Sequence, residues 1–395
     1  MISFDEAFDL VRRAGRPLGS ERVTLDEAAD RVLAEPVHAT IDAPRGDVSA
    51  MDGYAVREAD LENFPVRLKV VGESFPGTAG LEDLPPESCL RIFTGAALPP
   101  KADCVVIQEN VWLENDTAVI ETHPGPAGHV RARASDFAKG DRLLERGRLL
   151  DARALVAAAG ADLAEVNVAL QPRVAILGTG DELAPPGMAK NTEGTIPESV
   201  TFGVAALAEQ WGSSVISRTR LCDELDSMKE AAASALCDAD LVLVTGGASV
   251  GKRDFAKAMF EDEGLELIFS KVAIKPGKPV WFGRAGKALV MGLPGNPTSA
   301  LVTGRLFLAP LLAGLTGRDP AVALACRRAL LTGRLGPCGE RETFVRARWA
   351  ENAVQPLDSK DSSAQRALAA AELLIRRSPG ARAAEAGDPV DVLDF

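Results

Sequence analysis

The chain has 395 residues, more than one ordinary core organises, so two to four domains are expected. Hydrophobic residues make up 46% and charged residues 25%, which describes a folded chain and excludes a disordered one. With 44 basic against 56 acidic residues the net charge is −12, which argues against a non-specific nucleic-acid binder but leaves room for a small anion in a local basic pocket.

Six cysteines, at 89, 104, 222, 237, 326 and 338, include no C-x-x-C pair, and there are three histidines, so neither a zinc centre nor a disulfide framework is expected. The start MISFDEAFDLV carries acids where a signal peptide needs a basic segment. No apolar stretch is read as approaching the roughly 20 residues of a bilayer span. The expectation is a cytoplasmic protein with no membrane and no nucleic-acid partner.

SFDE at 3–6 is a capping box opening an amphipathic helix with Phe4, Phe8 and Val11 on one side. TLDE at 24–27 repeats the signature and predicts a second helix to about residue 33. From 36 to about 140, β-branched runs such as LKVV (68–71) and CVVIQ (104–108) alternate with Pro/Gly turns, the texture of a mostly β domain. Within it, SAMDGYAV (49–56) supplies a turn that exposes the Asp52 carboxylate. GDRLLERG (140–147) reads as a turn and DARALVAAAG (151–160) as a short helix. VAIL at 174–177 is an apolar strand ending in GTGDE (178–182). Helices at about 199–211 and 224–237 alternate with strand-like SVI (214–216), LVLV (241–244) and 288–291. GLPGNP (292–297) then opens a long apolar helix to about 315. Apolar strands alternating with helices imply a parallel, doubly wound α/β sheet covered on both faces. The segment after 318 reads as a small β-rich domain containing a helical DSSAQRALAAAELLI.

In an open α/β sheet ligands bind at the carboxyl ends of the strands, and the loops 178–182, 245–254 and 292–297 sit there. Pro297 suits the first helical position, so Asn296 is the expected N-cap, and the helix start, with the Thr298 and Ser299 hydroxyls, can face an anion. A plain capped helix would look the same. IKPGKP (274–279) holds Lys275 and Lys278 in a stiff turn that suits an oxyanion clamp, although an exposed basic turn has the same letters. Asp181, Glu182, Asp223 and Asp254 supply carboxylates; Asp223 also reads as an N-cap, with Asp226 three residues on. Carboxylates and lysines at one sheet edge suit Mg²⁺-assisted chemistry on an anionic substrate. His38, His123 and His129 all lie in the N-terminal half and form no catalytic triad pattern. TGGASVGKRD (245–254) approaches a phosphate-binding loop, but Arg253 stands where a hydroxyl must reach Mg²⁺, so a kinase or ATPase is disfavoured. Gly246 and Gly247 still let the backbone approach a ligand closely.

Taken together, SAMDGYAV (49–56), RIFTGAALPPKADCVVIQE (91–109), TGDEL (179–183), GGASVGKRD (246–254), KPGKP (275–279) and GLPGNP (292–297) resemble the molybdopterin molybdenumtransferase family, to which the E domain of gephyrin belongs. The resemblance implies a multidomain α/β plus β fold. Its expected parts are a discontinuous helical/β linker domain (1–35 with 142–172), an irregular β domain (36–141), a doubly wound mixed α/β molybdopterin-binding domain (173–318) and a C-terminal β-barrel-like domain (319–395). It implies insertion of molybdate into adenylylated molybdopterin with release of AMP and Mg²⁺ assistance, in a homodimer whose site is shared between subunits. Other cofactor-biosynthesis proteins or molybdoenzymes are implied as partners. Carried over by motif, the catalytic residues are Glu182, Asp254, Lys275, Lys278, Asp52 and Asp136, with Glu182 and Asp254 placing the metal. Ligand contacts are expected from Thr94, Thr179, Asp181, Gly246, Gly247, Ser249, Pro294, Gly295, Asn296, Pro297 and Asp223. The chain departs from the family pattern at 196–201, where Glu198 takes the acid position and Val200 lacks an amide, at Lys252-Arg253, and at Ala134-Ser135 before Asp136. These departures keep a second reading open, a divergent paralogue that binds pterin or acts as a scaffold without turnover.

Overall fold

A computed structural model describes residues 1–78, 83–125, 128–247, 255–357, 361 and 363–395. Asp254, Ser249, Lys252 and Arg253 therefore lie outside the described residues.

The central sheet has six strands in the order Ser214–Leu221, Arg173–Thr179, Leu241–Thr245, Ala288–Leu293, Trp281–Ala285 and Glu266–Phe269. The first four run parallel, as the alternation of apolar strands and helices implies. The last two add an antiparallel edge, so the sheet is mixed and not the all-parallel one that the alternation implies. Their signal lies in WFGRAGKALV, two β-rich runs hinged at Gly286, whose φ of 55° is one that glycine adopts readily.

Side chains along the parallel strands Arg173–Thr179, Leu241–Thr245 and Ala288–Leu293 alternate between two cores. Val174, Ile176, Leu241, Leu243, Leu289 and Met291 face helix Val200–Gln210 and the run 297–315. Ala175, Leu177, Val242, Val244 and Val290 face helix Leu225–Asp238 and Phe255–Ala258. The helical run Pro297–Leu315 is 19 residues long and apolar enough to cross a bilayer by composition, which corrects the expectation that no stretch approaches that length. It is 94% buried because protein layers enclose it. A π-turn at Gly304–Leu308 interrupts it just before Pro310, whose ring cannot tolerate a regular carbonyl one turn back.

The C-terminal strands Arg327–Leu331, Glu342–Ala350, Ala353–Pro356, Leu373–Arg377 and Pro389–Asp394 pair in a closed ring. Leu373, Ile375 and Val392 fill the barrel, whereas Phe344, Leu374 and Leu393 point outward into the core of the α/β layer. Helix Phe4–Ala14 seals that junction: the Phe4 ring lies 5.2 Å from Phe344 and 5.7 Å from Phe307. Ser20–Thr24 pairs with Glu165–Ala169, in a separate core with helix Ala152–Gly160. A third region, 36–141, carries its own six-stranded sheet and apolar cores.

Two expected helices shorten. The TLDE capping box forms, but it closes only the 3-10 turn Leu25–Glu27, after which Asp30 turns at φ 60° and Val32 and Leu33 bridge to Leu149 and Val168. In the C-terminal segment helix survives only over Gln365–Ala369, because Leu373–Arg377 is drawn into the barrel ladder.

Candidate active site

Strand Arg173–Thr179 connects through helix Val200–Gln210 to the strand on one side, and the chain then crosses to Leu241–Thr245 on the other. The topological switch point, where doubly wound sheets bind ligands, thus lies between Thr179 and Thr245. Four loops meet there, at 180–182, 222–223, 246–247 and 294–297, each following a parallel strand.

Their backbones touch. The Thr179 hydroxyl donates to the Thr245 carbonyl at 3.3 Å, and the Gly246 N–H to Leu293 at 3.3 Å. A Cβ on Gly246 would stand 2.4 Å from the Thr179 carbonyl oxygen, and φ is +91° there. One on Gly295 would meet the Gly246 Cα at 3.2 Å, so the glycines permit the loops to stack.

Asp181, Glu182 and Asp223 come together at this edge. The Asp223 N–H donates to the Asp181 carboxylate at 2.9 Å. Asp223 is not the cap of its helix: Glu224 takes that role, accepting from the Ser227 N–H at 2.8 Å, because it stands directly before Leu225–Asp238. Glu182 is exposed, its carboxylate beside Gly180. Glu198, by contrast, is 6% exposed and accepts from the Thr201 N–H at 2.8 Å and hydroxyl at 2.7 Å. That acid fastens the start of helix Val200–Gln210 instead of meeting solvent.

Pro297 does stand first in its helix, after Asn296 as N-cap, though the Asn296 side chain does not cap the first turn. Pro294 is buried, Gly295 exposed. On the far side of this start lies a cavity of about 830 Å³, reached by Lys275, Lys278 and Thr298 and by four barrel arginines, Arg334, Arg341, Arg346 and Arg377. Glu340 is the acid among its lining residues. Arg346 is 5% exposed, and such burial is tolerable because its guanidinium donates to the Thr298 hydroxyl (2.9 Å) and to the carbonyls of Asp361 (2.9 Å) and Ala364 (3.2 Å). Desolvation lowers its pKa, with the Asp361 charge opposing. The lysine turn is fixed on both sides: Ile274–Lys275 pairs in parallel with Glu342–Thr343 of the barrel, and a Cβ on Gly277 would overlap Thr303.

Asp52 and Thr94 belong to the 36–141 region. The Asp52 carboxylate accepts from both the N–H and the hydroxyl of Thr94 at 2.8 Å, and these bonds hold its pKa below 3.8. Asp136 is exposed, its N–H bonded to the Ala43 carbonyl. Among the described residues the six-stranded sheet of this region pairs only its own strands, apart from the switch-point loops, while Val37–His38 pairs with Arg142–Leu144 just beyond the region.

Mg²⁺ takes one or two protein carboxylates and completes its shell with substrate oxygens and water. Among the described residues no group of three His, Cys, Asp or Glu forms a cage. Exposed Glu182, with the Asp181–Asp223 pair beside it, fits the sparser requirement.

Three family models tile the chain: the MoeA N-terminal region (domain I and II) over 2–161, a probable molybdopterin binding domain over 175–314 and the MoeA C-terminal region (domain IV) over 328–395. The molybdopterin molybdenumtransferase of Haemophilus influenzae is 40% identical over 320 residues, covering 80% of this chain and 78% of that protein. The chain belongs to the molybdopterin molybdenumtransferase family. The Bacillus subtilis enzyme of that name is 31% identical across 99% of this chain and 94% of its own. The structure of a molybdopterin biosynthesis MoeA protein from Pyrococcus horikoshii superposes with a TM-score of 0.87 at 25% identity, covering all of both chains.

The sheet-edge loops and the lysine turn are legible in the sequence, whereas the cavity residues Arg334, Arg341, Arg346 and Arg377 are not. For Arg341 and Arg346 the one local signal is an arginine-rich stretch, GERETFVRARW (339–349), with no spacing that distinguishes cavity-lining from surface positions. Closure of the barrel brings them to one cavity.

Proposed function

We propose that the chain inserts molybdate into adenylylated molybdopterin and releases AMP, with Mg²⁺ assisting and the site completed by a second copy. The observation that carries this is the cation-rich cavity beside the Pro297 helix start: lysines and arginines collected in a chain of net charge −12. Positive charge gathered in a concave, partly dehydrated site favours an oxyanion far more than the same charges spread on a surface. Lys275 and Lys278 hold molybdate or the pyrophosphate link; Arg346, locked to Thr298, fixes the wall they face. The carboxylates Asp181, Glu182 and Asp223 stand across the helix start, and Gly246 and Gly247 leave room for the pterin nucleotide.

Mg²⁺ bound at Glu182 would neutralise the phosphoanhydride oxygens as AMP leaves. Asp52, Thr94 and Asp136 lie in a region separate from this edge, which supports their serving the site of the partner subunit. With the cations and the sheet-edge acids both in place, a non-catalytic scaffold is not favoured. The test is AMP release from adenylylated molybdopterin with molybdate and Mg²⁺. Release comparable to that of an active relative is expected, and its absence beside that relative overturns the reading.

A further inference from the structure

A further cavity of about 560 Å³ lies between helix Val200–Gln210, the run 297–315, helix Gln365–Ala369 and the end of the last barrel strand. It shares no lining residue with the cation-rich cavity, and ligand pockets commonly measure about 300–1,000 Å³. Its walls are mainly apolar. Leu207, Trp211, Leu301, Leu368 and Phe395 are each half-buried, so each leaves part of an apolar side chain uncovered beside it.

One charge is built into this wall. Arg305 is only 8% exposed and stands in the π-turn Gly304–Leu308, an irregularity of a kind frequent at functional sites. Its Nε–H donates to the Asp394 carbonyl at 2.8 Å and an Nη1–H to the Ala323 carbonyl, while the guanidinium lies 5.2 Å from the Trp211 ring centre. These carbonyls are neutral and occupy two of its five N–H donors. Among the described residues no carboxylate pairs with Arg305. Asp394, the acid of the cavity wall, turns its carboxylate to Arg327 at 2.5 Å. Desolvation pushes the Arg305 pKa down to about 10, with the Asp394 charge opposing, so the group stays charged at neutral pH. A buried cation without an anionic partner is costly, and this one borders a cavity.

This chemistry selects a ligand. The cavity beside Lys275 gathers several cations and suits a multiply charged oxyanion, whereas the one beside Arg305 has a single cation among apolar side chains. It suits one negative charge on an apolar body. The head completes Arg305 through charge-assisted bonds, and the body covers Trp211 and Leu207. Arg305 lies eight residues beyond Pro297 in the same helical run, about 12 Å along it, so the two sites are separate.

We propose that this cavity binds an amphipathic monocarboxylate, its head on Arg305 and its apolar body along Trp211 and Leu207.

The test is calorimetric titration of the full-length protein with octanoate and, separately, with octanol. The wild type is expected to bind octanoate at least about tenfold more tightly than octanol, the yield of one hydrogen bond to a charged group, and saturating molybdate should leave both affinities unchanged. Arg305→Met should abolish the preference. Ala206→Trp fills the cavity from an exposed position of its wall and decides the matter if Arg305→Met does not fold. It should weaken octanoate binding about tenfold or more with Tm unchanged. Equal affinity for octanoate and octanol, displacement of octanoate by molybdate, an unweakened Ala206→Trp, or no octanoate binding at millimolar concentration overturns the site. A changed oligomeric state of Ala206→Trp in sedimentation also overturns it, because a second copy would then be what covers the cavity.

Discussion

The acid-lined edge of the parallel sheet and the cation-lined cavity beside the barrel meet at one helix start, yet they are built differently. The edge is made by backbone: loops that follow neighbouring strands stack through Gly246 and Gly295, and their carboxylates arrive with them. The cavity is made by side chains from distant segments, a turn at 275–278, a helix start at 298 and barrel residues from 334 to 377. The difference teaches that polarity here is a property of place: a chain with net charge −12 assembles a basic chamber by closing a barrel against a helix.

Lys275→Ala should break the cavity side most severely. Removing one charge-stabilising donor typically costs about 10²–10³-fold in kcat, and a loss of that order in AMP release is expected with thermal stability unchanged, since Lys275 is exposed. Lys252→Ala should do far less; the reverse ranking would revive a phosphate-loop enzyme. On the edge side, Gly246→Ala must either displace the Thr179 carbonyl, 2.4 Å from the new Cβ, or abandon φ +91°. A destabilisation of about 1–3 kcal/mol is expected, seen as a lower Tm together with lost turnover; wild-type behaviour would mean that the loops do not stack.

Glu198→Ala sharpens the comparison, because that acid lies near the edge but serves a helix. It should cost about 1 kcal/mol of stability through the lost cap, while molybdate binding in the cavity stays the same. The smallest effect concerns Asp52. Bonds from Thr94 hold its folded pKa below 3.8, so the stability it contributes is present above 3.8 and is lost as pH falls through the folded value. The stability gap between wild type and Asp52→Asn should therefore stay constant from neutral pH down to about 4 and narrow below it, as read by denaturant titration.

Much of the α/β layer was legible because the inner parallel strands Arg173–Thr179, Leu241–Thr245 and Ala288–Leu293 are short apolar runs buried on both faces, and Pro297 marks a helix start. The KPGKP and GLPGNP segments carry their geometry in prolines and glycines, which restrict the backbone wherever they occur. Legibility failed where pairing overrides local preference. TLDE has every mark of a helix start, but Val32 and Leu33 are captured by bridges to 149 and 168. The segment 371–377 follows a helical pattern until the barrel claims it. The Asp223 cap failed by a single residue, since a carboxylate at 223 or at 224 is equally plausible in sequence and only the chain path selects Glu224.

The sequence by itself determined a multidomain α/β plus β chain of this family, the order of its loops at the sheet edge and the lysine pair, because glycine, proline and apolar periodicity act locally. Only the tertiary structure decided which arginines join those lysines, that Glu198 fastens a helix, and that Arg305 is buried at the wall of a second cavity. Each of these depends on strands and helices hundreds of bonds apart closing on one another, and no local pattern encodes the direction in which a distant side chain will point.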